Sequence, residues 1–173
     1  LGKARSIVSA VPGTTRDVVT GSFTWRGRSF VLLDTAGLRR RTHVSDPIEY
    51  YSAVRARETV RAADLVLLVV DAVAGLGDQD KKIASLAAAE GRGLLIVLNK
   101  WDLIGRQAGL AAEARERVRF QFPVVAYAPV LTVSARTGSG VARLLETAVD
   151  VHAQLNRRVG TGRLNLALAR WVE

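Results

Sequence analysis

Two continuous apolar runs, separated by a segment of helix length, constrain the fold of this chain most strongly. Residues 65–70 read LVLLVV and residues 94–98 read LLIVL, and residues 78–90 between them carry apolar residues at helical spacing. Apolar runs without alternation are typical of strands that are covered on both faces, as in a parallel sheet. The order strand, helix, strand therefore predicts a βαβ unit.

The rest of the chain continues the alternation of strands and helices. A strand over 18–25, a turn at Arg26-Gly27-Arg28 and a strand over 29–33 predict a hairpin. The remaining predicted elements are helices over 48–62, 109–121 and 141–155 and a short strand over 130–133. Residues 156–161 resemble a linker, and a new helical pattern starts at Arg163. The chain is therefore expected to be an α/β protein with a mostly parallel sheet.

Composition limits the chemistry and the partners. The chain has no Cys and only two His, which excludes disulfides, Cys-ligated zinc, thiol catalysis and a His-rich metal site. The longest apolar run ends at Asp64 and Asp71, well short of the roughly 18 residues of a membrane-spanning helix. The formal net charge of +9 favours polyanionic partners, although a positively charged solvated surface would have the same composition. The reducing cytoplasm is the expected compartment.

Polar residues follow the predicted strands at the ends where parallel sheets bind ligands. Strand 29–33 is followed by Asp34-Thr35-Ala36-Gly37, and strand 65–70 by Asp71. Strand 94–98 is followed by Asn99-Lys100-Trp101-Asp102, and strand 130–133 by Ser134-Ala135-Arg136. These ends are therefore expected to share one edge of the sheet and to form the binding site.

The residue types at these ends suit a guanine nucleotide with magnesium. Asp102 offers two acceptor oxygens that match the paired N1–H and N2–H donors of guanine, and Asn99 offers an amide to the purine edge. The stem of Lys100 can lie over the flat base, and the N–H of Ala135 can donate to the guanine carbonyl. Asp34 can hold the water shell of Mg²⁺, and Gly37 lets the backbone approach a phosphate.

The motifs differ in how specific they are. The segment 34–37 taken alone is also compatible with an ordinary turn after a strand, and 134–136 taken alone carries almost no information. The sequence NKWD after five apolar residues is much more specific, and the ordered set PGTTRD, DTAG, NKWD and SAR is more specific still.

These ordered motifs resemble those of translation-factor-class GTPases. The longer segments IVSAVPGTTRD at 7–17, DTAGLRRR at 34–41, DLVLLVVDA at 64–72 and QDKKIA at 79–84 resemble the second GTPase domain of the Der (EngA) family, which are bacterial ribosome-assembly GTPases with two tandem G domains. The resemblance covers residues 1–155. Residues 156–173 resemble the linker and first helix of that family's KH-like C-terminal domain, without a GXXG clamp.

The resemblance implies a fold, an activity and partners. The fold is a three-layer P-loop NTPase of the Ras-like type, with a mostly parallel sheet and one antiparallel edge strand. The activity is hydrolysis of GTP to GDP and phosphate as a switch in assembly of the large ribosomal subunit, with Mg²⁺ as cofactor. The implied partners are rRNA, the large subunit, a sister G domain and the KH-like domain of a longer chain.

The resemblance also assigns roles to individual residues. Thr15 matches the switch threonine that binds Mg²⁺, and Asp34 matches a second Mg²⁺ position. Thr15 and Gly37 also match catalytic positions. Residues that match nucleotide contacts are Asp34, Thr35, Ala36, Gly37, Asn99, Lys100, Asp102, Ser134, Ala135 and Arg136. Leu38 stands where many GTPases have a water-orienting Gln, which implies a K⁺ ion at the phosphates. Residues that match the K⁺-wrapping loop are Ser9, Val11 and Thr14.

One departure from the family concerns the phosphate loop GxxxxGK[ST]. Gly2-Lys3 is followed by Ala4 and has nothing before it, so the first strand, the phosphate loop and the first helix are expected to be missing from residues 1–155. The absence of Met also suggests a piece of a longer protein. We therefore expect the 173-residue chain by itself to be inactive, since the loop supplies most of the phosphate affinity.

Two alternative functions remain open from the sequence. An MnmE-like GTPase of tRNA modification shares the apolar residue at position 38, but ordinarily ends in a Cys motif. A domain that binds rRNA or the ribosome without hydrolysing nucleotide is the other alternative.

Overall fold

The structure is a computed structural model that describes residues 20–33, 56–105 and 107–172. The chain divides into two compact units, Leu1–Ala63 and Asp64–Glu173. This division lies inside the predicted G domain of residues 1–155, whose extent stays a prediction, as does the KH-like assignment of 156–173. None of the described helices is both long and apolar enough to cross a bilayer.

The described part of the first unit contains the predicted hairpin. Strand β1 (Thr20–Trp25) pairs antiparallel with β2 (Arg28–Leu33), and Phe23 lies opposite Phe30 with the rings stacked at 4.9 Å. Arg26 and Gly27 both have positive φ, which is the two-residue turn that matches strand twist. Residues 56–62 are helical, as predicted, while 48–55 of the same predicted helix and 18–19 of the strand lie outside the described residues.

The second unit is built on a parallel sheet with the order β3-β4-β5. Its strands are β3 (Leu65–Asp71), β4 (Gly93–Asn99) and β5 (Val130–Thr132). Its helices are α1 (Asp78–Ala89), α2 (Leu110–Gln121), α3 (Val141–Leu155) and α4 (Thr161–Val172). The predicted α/β class and parallel pairing are confirmed. Helix α4 starts at Thr161, so the predicted linker is one residue shorter than expected.

Helices cover both faces of the central strand β4. Leu95 packs with Leu131 of β5 and Ala148 of α3, and a Cβ at Gly93 would meet Leu155 and Val151 of the same helix. The opposite face, with Leu94 and Ile96, is equally buried, and α1 contacts both β3 and β4. Because successive strand residues point to opposite faces, this arrangement gives three layers.

Strand β3 departs from the expectation that both of its faces are covered. Leu68 and Val70 are buried, but Leu67 and Val69 are 36% and 44% exposed. The exposed residues share a face with Leu65, which is the residue of β3 that packs against the cluster around α3. Helix α3 therefore covers this face at the start of the strand and leaves its later residues open, whereas the prediction of full coverage holds for β4.

Candidate functional site

The carboxyl ends of β3, β4 and β5 bring the polar segments of unit two to one edge. Asp71 is the register partner of Asn99, and the N–H of Ala72 donates to the carbonyl of Asn99 at 2.9 Å. Beyond β5, Val133 donates to the carbonyl of Leu98 at 2.9 Å and accepts from the N–H of Trp101 at 3.0 Å. These backbone bonds hold segments 99–102 and 133–136 side by side, as the sequence predicted.

Lys100 lies across the edge from β4 to β3. Its backbone is left-handed, with φ of 62°, which is uncommon for a residue other than Gly. Its Nζ donates to Oδ2 of Asp71 at 2.6 Å, while Oδ1 of Asp71 accepts from the N–H of Val73 at 2.9 Å. The hydrogen bond from Lys100 is the main cause that lowers the pKa of Asp71, and the hydrogen bond from the N–H of Val73 is the second. The sequence identified Asp71 only as the residue that follows a strand, whereas the structure shows that its carboxylate accepts a hydrogen bond from Lys100.

Asp102 is held by two side chains from the segment after β5. The hydroxyl of Ser134 donates to Oδ1 at 2.5 Å. Nε of Arg136 donates to Oδ2 at 3.0 Å, and Nη2 lies 2.7 Å from the same oxygen. The Ser134 hydrogen bond and then the Arg136 contacts lower the pKa of Asp102. The carboxylate is therefore ionised at neutral pH and acts as an acceptor on both oxygens.

The amide of Asn99 is oriented by a backbone donor. Its Oδ1 accepts from the N–H of Ala135 at 3.0 Å, which leaves Nδ2 as the donor end of the side chain. A donor at this place suits the acceptor atoms of a purine edge. In this structure the N–H of Ala135 donates to Oδ1 of Asn99. The predicted hydrogen bond from Ala135 to a guanine carbonyl therefore requires that this N–H be shared between the two acceptors or change its acceptor.

A compact turn holds Ser134 beneath the site. The Ser134 residue is 1% exposed, its Oγ accepts from the N–H of Thr137 at 3.2 Å, and its N–H donates to the carbonyl of Ser139 at 2.9 Å. Gly140 then starts α3 with φ of 78°, where a Cβ would overlap the carbonyl oxygen of Thr132. The predicted contact of Ser134 with nucleotide stays a prediction; in the structure its buried hydroxyl holds Oδ1 of Asp102.

The arrangement forms an open cavity of about 350 Å³. It is lined by Asn99, Lys100, Asp102, Leu103, Ala135 and Arg136. A cavity of this size suits a heterocyclic base. Five of the lining residues were predicted from the sequence. Leu103 was not predicted to line the site, although its position directly after the NKWD motif could have indicated it.

The predicted phosphate and metal residues lie outside the described residues. They are Ser9, Val11, Thr14, Thr15, Asp34, Thr35, Ala36 and Gly37. Within residues 20–33, 56–105 and 107–172, no three carboxylates or histidines are grouped as a metal site. The described part of the predicted nucleotide site therefore consists of the residues that the sequence predicts to contact the base.

Comparisons with known proteins agree with this fold. Residues 1–100 match the family described as 50S ribosome-binding GTPase. The chain is 42% identical over 168 residues to GTPase Der of Caldanaerobacter subterraneus, covering 97% of this chain and 38% of the relative. It is 45% identical to GTPase Der of Desulforudis audaxviator with the same coverage. The chain thus spans about two-fifths of the length of these curated relatives.

A solved structure shows the same fold. Era, in a complex with MgGDPNP and part of 16S ribosomal RNA, superposes with a TM-score of 0.64 at 23% identity. The match covers 84% of this chain and 48% of Era. At this identity the likeness is evidence for the fold alone.

Proposed function

The chain belongs to the 50S ribosome-binding GTPase family, and we propose that its cavity at the strand ends binds the guanine base of GTP and GDP. The observation that carries this proposal is the ionised carboxylate of Asp102 beside the oriented amide of Asn99 in one cavity. A pair of carboxylate oxygens accepts the N1–H and N2–H of guanine, which adenine does not present together. The base-side residues therefore fit the ligand that the motifs imply.

The other cavity residues complete the recognition of the base. Lys100, held by Asp71, places its alkyl stem along the cavity, and Leu103 adds an apolar side chain to the lining. The Nδ2 of Asn99 donates to the purine edge. The buried hydroxyl of Ser134 keeps Asp102 in place without touching the base.

The catalytic half of the proposal rests on sequence motifs. Asp34 and Thr15 would hold Mg²⁺, and the backbone at Gly37 would approach the γ-phosphate. Leu38 replaces the water-orienting Gln, so a K⁺ ion on the loop with Ser9, Val11 and Thr14 would supply positive charge at the phosphates. Mg²⁺ and K⁺ stabilise charge that develops during phosphoryl transfer.

For a full-length protein of this family that contains the chain, we propose a GTP-driven switch in assembly of the large ribosomal subunit. The support is the family description, the curated relatives named GTPase Der and the net charge of +9, which favours rRNA. A sister G domain and a KH-like domain that begins with α4 are part of this proposal, and its place of action is the ribosome in the cytoplasm. The relatives favour this function over tRNA modification.

The Asp102→Asn variant tests the base site. The introduced amide has one acceptor end and one donor end, so it no longer accepts both guanine N–H groups, and GMP affinity should fall by at least about a hundredfold. Its donor end matches the 2-oxo group of xanthine, so affinity for xanthosine monophosphate should rise. Titration followed by NMR measures both ligands on the same chain. Asp78→Asn on α1 is the matched control, because its side chain is 94% exposed and does not line the cavity. Unchanged GMP affinity in Asp102→Asn would falsify the proposal.

A further inference from the structure

All the aromatic residues of the β1–β2 hairpin lie on one face. Phe23 is the register partner of Phe30, and Trp25 is the register partner of Arg28. Register partners share a face, and so do residues two positions apart in a strand, so these four side chains project from the same side. The two Phe rings stack at 4.9 Å with an interplanar angle of 8°. This side, the aromatic face, therefore carries three rings and one guanidinium.

The turn that closes the hairpin carries a basic residue at a position that usually takes another residue type. Arg26 has φ of 48°, in the left-handed region that two-residue turns commonly fill with Asn, Asp or Gly. The central carbon of its guanidinium lies 4.6 Å from the centroid of the Trp25 ring, a cation–π contact that helps to orient the ring. A residue choice that works against the local backbone is expected where the side chain is needed for binding.

The hairpin is positively charged and has no acidic residue. Residues 20–33 contain Arg26 and Arg28 but neither Asp nor Glu, and both arginines are exposed. The compact unit of residues 1–63, which includes the hairpin, has 11 Lys and Arg against 5 Asp and Glu. Residues 64–173 have 14 against 11. The excess positive charge is therefore concentrated in the first unit, which favours an anionic partner.

Aromatic rings beside exposed arginines match the two chemical parts of a single-stranded nucleic acid. Its bases stack on aromatic rings with little regard to sequence, and its phosphates are neutralised by arginine. Packing between cross-strand rings accounts for Phe23 and Phe30, but it accounts for neither arginine. An acidic peptide would match the charge of the hairpin but offers no bases to stack on the rings. A single strand is therefore the partner that uses both features.

We propose that the aromatic face and the turn of this hairpin bind single-stranded RNA, with a base stacked on the half-buried ring of Trp25 and a phosphate held by Arg28. Arg26 is then a positioning residue that orients the indole ring. The choice of RNA rests on the proposed role in ribosome assembly, whereas the chemistry of the surface rests on the hairpin alone. None of these residues lines the proposed base cavity.

A fluorescently labelled eight-nucleotide oligouridine tests the surface on the 173-residue chain, with binding followed by fluorescence anisotropy. Oligouridine contains no guanine, so the proposed base cavity does not recognise it. An abasic oligonucleotide of the same length keeps the phosphates but has no base to stack, so it should bind at least about fivefold more weakly. An oligoglutamate of equal charge should displace oligouridine poorly. Neither comparison requires a variant of the protein.

Variants at two positions separate stacking from charge. Trp25→Leu should weaken oligouridine binding by about tenfold without changing the slope of log K against log [KCl], because it removes a ring and no charge. Trp25→Tyr keeps a ring and should retain most of the affinity. Arg28→Gln should weaken binding and make the slope shallower by about 0.7, the value for one phosphate contact on a single strand. Arg117→Gln, at an exposed position on α2, is the control of equal charge and should change neither quantity.

Three results would overturn the proposal. They are equal affinity for oligouridine and the abasic strand, a salt slope that Arg28→Gln leaves unchanged, and displacement by oligoglutamate as effective as that by unlabelled oligouridine, which would identify an acidic protein segment as the partner. GMP titration of the same proteins keeps this proposal distinct from the base site. If GMP binds and oligouridine does not, the hairpin proposal is wrong and the base site stands. If oligouridine binds with these effects and GMP does not, the base site is wrong and the hairpin surface stands.

Discussion

The ammonium group of Lys100 lies 2.6 Å from a carboxylate oxygen of Asp71, a residue 29 positions earlier that ends the neighbouring strand. The parallel pairing of β3 and β4 brings the two residues to the same edge. Lys100 adopts positive φ at this point, and the ion pair stabilises its side chain in the cavity. Asp71 is therefore a positioning residue for the proposed base site.

The first prediction is that Asp71→Asn weakens GMP binding by about two- to fivefold without abolishing it. The amide keeps an acceptor for the N–H of Val73 but removes the charge that holds Lys100. NMR titration with GMP measures the effect, with Asp78→Asn as control. A loss as large as that of Asp102→Asn would contradict a positioning role.

The second prediction concerns pH. Because Lys100 lowers the pKa of Asp71, the ion pair adds stability that is present above the unfolded-state pKa of about 3.9 and is lost as pH falls through the folded-state pKa. Lys100→Met should raise the pKa of Asp71 toward its ordinary value, as measured by carboxyl ¹³C titration. The variant should therefore be less stable than the parent chain at pH 7, with the difference shrinking below pH 4. A difference that stays constant across this range would count against the ion pair.

The third prediction compares two glycines with the same backbone angle. Gly138 and Gly140 both have φ of 78°, but a Cβ at Gly138 meets nothing within 4 Å, whereas one at Gly140 overlaps the carbonyl of Thr132. Gly138→Ala should lower the free energy of unfolding by about 1 kcal/mol through backbone strain alone. Gly140→Ala should lower it by roughly a further 1–3 kcal/mol through overpacking. Urea denaturation measures both, and equal losses would show that the close approach at Gly140 is unimportant.

The fourth prediction concerns potassium. In a longer chain that carries a phosphate loop, GTP hydrolysis should be faster in KCl than in NaCl at equal ionic strength, because Leu38 cannot orient water. Phosphate release measures the rates, and a Thr14→Val variant should reduce the potassium effect if its hydroxyl belongs to the ion site. Equal rates in the two salts would direct attention to Arg16 and the Arg39–Arg41 run as catalytic cations.

Local sequence patterns were enough to predict most of the described fold and most of the residues that line the cavity. The apolar runs at 65–70 and 94–98 predicted two parallel strands, and both are present, although only β4 is buried on both faces as predicted. The motif NKWD and the segment 134–136 supplied five of the six residues that line the cavity. These features depend on residue type and spacing along the chain, which determine periodicity and strand ends.

The tertiary structure decided which side chains meet. The ion pair of Asp71 with Lys100, the burial of Ser134 beneath Asp102 and the contact of Arg136 with Oδ2 all join residues 29 to 34 positions apart. The partial exposure of β3 likewise depends on where α3 packs. Strand register, the left-handed backbone of Lys100 and the turn before Gly140 set these distances. Spacing along the chain specifies which residues reach the edge, but only the packed backbone brings a given donor within hydrogen-bond distance of a given oxygen.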